Sequence, residues 1–355
     1  MVGVDLFAGA GGLSLGAVHA GIEVRLAVES DRNAAATYGH NHGQTTVIVN
    51  DVRNVAELPA ADRGRARVLF GGPPCQGFST SNQRTRTLGN PDNWLFEEFM
   101  RLTRDWRPEW VILENVRGLT CTEGGFFLEA ILESFQRAGY TTSWWVLNAA
   151  DYGVPQLRHR LFVVGSLHGL RPNRPVPTPR PSEYVTVQDA IDDLPELPNG
   201  ANVGNLRYRK QARSNYTLRM RGDLEQCGNH LVTRNADIVL RRYKYVPQGG
   251  NWQDIPARLM RSYANRNRCH TGIYHRLKAD APSLVIGNYR KNMLIHPTQD
   301  RGLSVREAAR LQSFPDWYEF VGSIGFQQQQ VGNAVPPLLA QAVFATVMTA
   351  QRCGN

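Results

Sequence analysis

Val68-Leu69-Phe70-Gly71-Gly72-Pro73-Pro74-Cys75-Gln76-Gly77-Phe78-Ser79 is the stretch on which the reading of this chain turns. Its first three residues form an apolar run, the mark of a short buried strand. Two glycines and two prolines then stop the strand and force a stiff turn. Cys75 follows at once. A thiol at the carboxyl end of a strand stands where open α/β sheets place their ligands. Free cysteines are more often buried structural residues, so the meaning of Cys75 depends on its surroundings in the chain.

On both sides, strand-like and helix-like segments alternate, which predicts an α/β domain. Strands are expected at Val2–Phe7, Val24–Glu29, Thr46–Asn50, Arg67–Phe70, Trp110–Leu113, Thr142–Leu147 and Leu161–Val164. Helices are expected at Leu13–Ala20, Arg32–Tyr38, Asn93–Asp105 and Phe126–Arg137. Most of the strands are continuous apolar runs, as in sheets covered on both faces. Five prolines between Pro172 and Pro181 read as an extended connector, followed by a short helix at Val187–Leu194. Regular structure resumes at Ser304–Ser313, where Ser304-x-x-Glu307 is a capping box. A last helix covers Leu338–Ala350.

The 355 residues carry a net charge of +9, unevenly placed. Residues 201–300 hold 18 Lys/Arg against 6 Asp/Glu, a net of +12, so the remainder sums to −3. A basic third beside a near-neutral remainder marks a polyanion-binding module. The cysteines at 75, 121, 227, 269 and 353 form no Cys-x-x-Cys pair, which favours a reducing cytoplasm over a secreted disulfide framework. No signal peptide is visible. The apolar tract Ala334–Ala350 is interrupted by Pro336, Pro337 and Gln341 and is too short to span a bilayer, so no membrane partner is expected. Cys227-x-x-His230 and Cys269-His270 have poor zinc spacing, and no metal is expected.

Three features describe a nucleoside pocket that lacks a phosphate site. Asp5-Leu6-Phe7-Ala8-Gly9-Ala10-Gly11-Gly12 joins the first strand to the first helix, where glycines let a ligand approach the backbone. Ser14 stands where a dinucleotide fingerprint would need its third glycine, which disfavours a nicotinamide-dependent oxidoreductase. Glu29 ends the second strand, placed to bind ribose hydroxyls, and Asp51 follows the third strand, placed to accept from an adenine amine. S-adenosylmethionine is a ligand of this kind. Glu114 follows the apolar run Trp110–Leu113 at the same sheet edge as Cys75. A thiolate that attacks C6 of a pyrimidine, with a carboxyl group engaging N3, is a chemically coherent pair. In an extended stretch Gln156, Arg158 and Arg160 share one face and would point together at a carbonyl oxygen or a phosphate.

These motifs, with Arg301–Pro315 and Gln330-Val331-Gly332-Asn333-Ala334-Val335-Pro336-Pro337, stand in the order and spacing of the DNA (cytosine-5) methyltransferase family, which the chain resembles from residue 4 to about 345. The resemblance implies a Rossmann-like S-adenosylmethionine-dependent methyltransferase domain with a second, smaller target-recognition domain. The catalytic domain would cover 1–195, completed by 326–355, and the recognition domain and hinge 196–325. Cys75 is similar to the nucleophile at C6, Glu114 to the residue engaging N3 and the exocyclic amine, and Asn115 to the residue holding local geometry. Arg160 is similar to the arginine that contacts the cytosine O2, and Arg158 to its neighbour. The cofactor pocket would draw on Phe7, Ala8, Gly9, Gly11, Gly12, Leu13, Glu29, Ser30, Asp51, Val52, Pro73, Leu95, Asn333 and Val335.

Gln76–Asn93 looks like the loop that closes over DNA. The resemblance further implies double-stranded DNA as substrate, a cytosine flipped from the stack, a monomeric enzyme at the nucleoid, and a cognate restriction endonuclease acting separately. One departure is Gln327–Gln330, where the family often carries an aromatic residue and an arginine. A tRNA-methylating branch carries a Cys-Phe-Thr signature that is absent here, and a non-catalytic DNA-binding relative would lack Cys75 or Glu114.

Overall fold

The computed structural model describes residues 1–60, 64–74, 95–208, 210–261, 263, 271–287 and 289–354. They divide into two compact units. The first contains 1–152, 159–178 and 335–355; the second contains 153–158 and 179–334. The sequence had placed these breaks at 195 and 326.

The first unit is built on a seven-stranded sheet of β1 (Val2–Leu6), β2 (Glu23–Glu29), β3 (Thr46–Val49), β4 (Arg67–Gly71), β5 (Trp110–Val116), β6 (Thr141–Asn148) and β7 (His159–Ser166). Their order is β3-β2-β1-β4-β5-β7-β6. The first five are mutually parallel, and β7 runs antiparallel to both β5 and β6. Strand order reverses between β1 and β4, so a crevice opens at the carboxyl ends of these two strands. Gly71 permits their approach, because a Cβ there would lie 2.0 Å from the Leu6 carbonyl oxygen.

Four helices connect the strands: α1 (Gly12–His19), α2 (Arg32–Asn41), α3 (Leu95–Trp106) and α4 (Phe126–Arg137). Asp31 starts α2 by accepting hydrogen bonds from the amides of Asn33 and Ala34 at 2.8 and 2.9 Å. Helices α3 and α4 bury Phe99, Met100, Phe127, Ile131 and Phe135 against Leu6, Val28, Leu69 and Leu113 of the sheet. Each such side chain contributes about 1.5–3 kcal/mol on leaving water. The C-terminal helix, Pro337–Cys353, packs beside α1. Gly16 allows that contact, since its Cβ would fall 2.3 Å from the Ala340 Cβ. Leu339, Val343, Phe344 and Val347 are fully buried, and Phe344 meets Phe70 edge-on at 4.9 Å. The apolar C-terminal tract is therefore a core helix.

The second unit has little regular structure, as its irregular sequence foretold. Short helices α5 (Val187–Ile191), α6 (Asn215–Arg221) and α7 (Asp237–Tyr243) accompany a two-stranded pair, β8 (Leu206–Arg207) and β9 (Gln226–Cys227). Helices α8 (Val305–Leu311) and α9 (Ile324–Asn333) follow. Helix α8 is the hub. Its capping box forms as expected, with the Glu307 amide donating to Ser304 Oγ at 3.0 Å and the Ser304 amide to Glu307 Oε2 at 2.8 Å. Arg301 grips both Glu307 oxygens, at 2.9 and 2.6 Å. Arg306 donates to the carbonyls of Gly228, Pro315 and Tyr318, and Arg310 joins Asp193 and Asp316. The basic motif 301–315 thus serves as a buried frame.

Candidate active site at the carboxyl edge of the sheet

The turn leaving β1 is unusual in its backbone. Phe7, Gly9 and Gly11 all have positive φ, at 59°, 55° and 87°. For a phenylalanine this left-handed conformation is costly and marks a functional turn. The turn is held from β2: the Ala8 amide donates to the Val28 carbonyl at 3.1 Å, and the Gly9 amide donates to Glu29 Oε2 at 2.7 Å. Glu29 Oε1 accepts from the Asp31 amide at 2.7 Å. Both oxygens are anchored, yet each keeps lone-pair capacity for ribose hydroxyls.

Gly11 caps α1 without offering a side chain to its first-turn amides. A Cβ at Gly9 would meet nothing within 4 Å, so the backbone there borders open space. Phe7, Val52 and Leu95 pack on one apolar cluster, while Ala8 and Leu13 are buried and Ser30 is exposed. An anchored carboxylate, an open glycine cradle and an apolar floor fit the nucleoside half of S-adenosylmethionine. Asp51 sits differently from expectation. Its carboxylate accepts from the Arg53 amide and Nε, both at 2.9 Å, and this arginine holds its pKa below the ordinary value. An adenine amine would share Asp51 with Arg53.

At the β4–β5 edge, Glu114 is buried and its Oε1 lies 2.9 Å from Arg160 Nε. The register that pairs Val116 with Arg160 brings the two together across antiparallel β5 and β7. Burial lowers the Arg160 pKa, and Glu114 opposes that shift. Asn115 donates from Nδ2 to the Pro73 carbonyl at 3.1 Å and accepts the Val116 amide at 2.8 Å. It therefore ties β5 to the Gly-Gly-Pro-Pro turn. Pro73 is buried, and Cys75 and the stretch to Trp94 lie outside the described residues.

Gln156, Arg158 and Arg160, expected on one face, fall in different units, the first two in the second unit and Arg160 in the first. Strand β7 begins only at His159, so the shared extended face is broken. Gln156 is fully buried in the second unit, where its Nε2 donates to the Leu311 carbonyl at 3.0 Å and its Oε1 accepts the Ile286 amide at 3.3 Å. Arg158 is equally buried, and its Nη2 donates to the carbonyls of Gly332 and Ala334 at 3.1 and 3.0 Å. Arg160 joins Glu114. Asn333 is the exposed last residue of α9 in the second unit, and Val335 opens the returning segment of the first.

Of Gln327–Gln330, three side chains are buried and make hydrogen bonds within the second unit: Gln327 to Gly322, Gln328 to Thr233 and Gln330 to Val321. Both ring nitrogens of His230 are engaged, by Ser304 and the Pro195 carbonyl, and no metal-binding group of three occurs among the described residues. Sequence reasoning gave no site role to Gly72, whose Cβ would stand 2.7 Å from Glu114 Oε2, or to Arg53, two residues after Asp51.

The chain is 38% identical over 350 residues to the type II methyltransferase M1.HphI of Haemophilus parahaemolyticus, covering 97% of this chain and 86% of that one. It is 34% identical over 377 residues to the type II methyltransferase M.XorII of Xanthomonas oryzae pv. oryzae, covering 99% and 85%. A candidate DNA modification methyltransferase encoded within an E. coli prophage has a similar crystal structure, with a TM-score of 0.79, 25% identity and 99% of both chains covered. The S. pombe Dnmt2 methyltransferase shares the fold at a TM-score of 0.58 and 14% identity, over 100% of this chain and 99% of that one. Residues 1–349 match the model of the C-5 cytosine-specific DNA methylases. The glycine turn, the seated glutamate and these matches lead to one conclusion: the chain belongs to the C-5 cytosine-specific DNA methylase family and methylates cytosine C5 in DNA with S-adenosylmethionine as donor.

Proposed function

We propose that Cys75, Glu114 and Arg160 methylate one cytosine within a specific duplex sequence that the second unit selects. The observation that carries this reading is the Glu114–Arg160 pair, seated beside the strand that delivers Pro73-Pro74-Cys75. Cytosine C6 cannot be attacked within the stack, so the base must leave the duplex. The Cys75 thiolate adds to C6 while Glu114, carrying a proton once the base is seated, gives that proton to N3, which leaves C5 as the nucleophilic carbon of an enamine. Arg160 holds the carboxyl in place and has further N–H groups for the cytosine O2. Asn115 keeps the Pro-Pro turn against β5. S-adenosylmethionine supplies an electrophilic methyl group, for which Gly9, Gly11, Glu29 and Asp51 form the binding edge. Loss of the C5 proton to a water molecule, with the N3 proton returning to Glu114, then re-forms the C5–C6 double bond and expels the Cys75 thiolate.

Arg158 acts as a positioning residue that fixes the backbone of Gly332 and Ala334. Target recognition is assigned to the second unit because its basic segment carries a net of +12 and exposes Arg207, Arg213, Arg219, Arg241 and Lys244. The type II relatives support a separate cognate restriction endonuclease, and the enzyme is read as a monomer that acts on double-stranded DNA. Bisulfite sequencing of plasmid DNA from cells expressing the protein tests this. Protected cytosines in one recurring sequence are expected; uniformly converted cytosines would contradict the reading.

A further inference from the structure

Beneath the glycine turn lies a buried chain of polar side chains that the mechanism above does not use. Ser14 Oγ donates to Asp5 Oδ2 at 2.6 Å, and the Tyr38 hydroxyl donates to Ser14 Oγ at 2.7 Å. The His42 ring stacks on Tyr38 with centroids 4.4 Å apart, and His42 is hydrogen-bonded to the backbone of Gly11. Asp5, Ser14 and Tyr38 have no exposed surface, and His42 has 7%. Asp5 belongs to β1, Ser14 to α1, and Tyr38 to α2, with His42 just beyond it.

The chain therefore grips both arms of the turn. Asp5 immediately precedes Leu6 and the left-handed Phe7, and Ser14 lies in the first turn of the helix that Gly11 caps. A glycine at position 14, as in a dinucleotide fingerprint, would leave this linkage without its middle member. The arrangement is not a relaxed one. Asp5 Oδ1 is buried without a hydrogen-bond partner among the described residues. Burial pushes the Asp5 carboxyl well above its ordinary pKa, with Ser14 opposing and nearby Glu29 adding to the rise. An incompletely satisfied carboxyl and a strained Phe7 side by side are the kind of cost that persists at a ligand-binding turn.

We propose that Ser14, Tyr38 and His42 are positioning residues for S-adenosylmethionine, holding the turn Ala8–Gly12 in its ligand-receiving shape from below. The proposal rests on the reading of that turn as the donor pocket. No hydroxyl or imidazole of the set needs to touch the ligand. Its effect reaches the pocket through the backbone of Gly11 and through the β1 end.

Calorimetric titration of Tyr38→Phe and His42→Phe with S-adenosylhomocysteine, alongside Glu29→Ala, tests this, with thermal unfolding as the folding control. Each positioning variant is expected to weaken binding about tenfold, the scale of a lost buried hydrogen bond. KM for DNA should stay near that of the wild type, while KM for the methyl donor rises. His42→Gln, which keeps a hydrogen-bonding group, should recover part of the affinity. Where Tyr38→Phe does not fold, Ser14→Ala reports the same link. Folded variants that bind within twofold of wild type, while Glu29→Ala binds weakly, would overturn the proposal. Unchanged binding by Glu29→Ala would instead overturn the pocket assignment beneath it.

Discussion

A Cβ on Gly72 would stand 2.7 Å from Oε2 of Glu114, so the glycine before Pro73 makes room for the buried carboxylate. Gly72→Ala is expected to push the carboxylate aside without disturbing β4, whose last residue is Gly71. Misplacing a catalytic group by an ångström costs up to about 100-fold in rate. The variant should lose activity on that scale in single-turnover methylation, with its thermal midpoint nearly unchanged. A stable variant of full activity would refute the assigned seat.

Arg160 is the other half of that seat, 2.9 Å from Glu114 Oε1. Arg160→Ala removes a preorganised donor and the counter-charge, for which a loss of about 100-fold in the chemical step is expected. Donor binding should persist, as read by calorimetry. Arg160→Lys should restore little, because a flexible ammonium does not reproduce a planar guanidinium fork.

Acid should weaken the fold through His296. Burial lowers its pKa to about 4, against Glu307, which favours the charged form, and with Arg301, Arg276 and His230 adding to the fall. Its Nδ1 accepts the amides of Thr298 and Gln299, each at 3.2 Å, which only the unprotonated nitrogen can do. The folded pKa lies below the unfolded 6.5, so the unfolded chain binds more protons between the two values. Stability from this group is full above pH 6.5 and falls as the pH drops toward 4, by about 3 kcal/mol. Chemical denaturation across that window should show the loss, and His296→Asn, which can still accept from those amides, should flatten it.

Arg310 joins two buried aspartates, Asp193 and Asp316. Burial alone would raise the Asp316 carboxyl, and Arg310 overrides it to hold the pKa below its ordinary value. Arg310→Met removes the nearest counter-charge of both aspartates, leaving Asp316 with Arg306 at 3.8 Å and the Tyr208 hydroxyl, and Asp193 with Arg221 at 3.9 Å, and is expected to cost about 3–5 kcal/mol. Adding Asp193→Asn and Asp316→Asn should return part of this, as read from denaturant midpoints.

The first unit was legible because its physics is local. Apolar runs, most of them continuous, placed the seven strands of the sheet, and helical spacing marked Phe126–Arg137. Glu29 could be located because it closes an apolar run at the end of β2, whereas β5 continues to Val116, so Glu114 lies within its strand and not just beyond it as expected. Partnerships across the chain were not legible. Arg158 and Arg160 look equivalent in sequence, yet one binds backbone carbonyls and the other a carboxylate, because the strand starts between them. Asp51 gave no sign that Arg53 would turn back on it. The 301–315 motif read as a signature, and only packing reveals its arginines as a buried frame.

The central claim is covalent catalysis by Cys75 on cytosine, and one measurement tests it most directly. Duplex DNA carrying 5-fluorocytosine at the target base is incubated with the protein and S-adenosylmethionine, then resolved under denaturing conditions. Fluorine at C5 cannot leave as a proton does, so the wild type is expected to remain bonded to the DNA, and Cys75→Ala is expected to give neither adduct nor methylation of ordinary DNA. Methylation of ordinary DNA by Cys75→Ala at the wild-type rate would contradict the account.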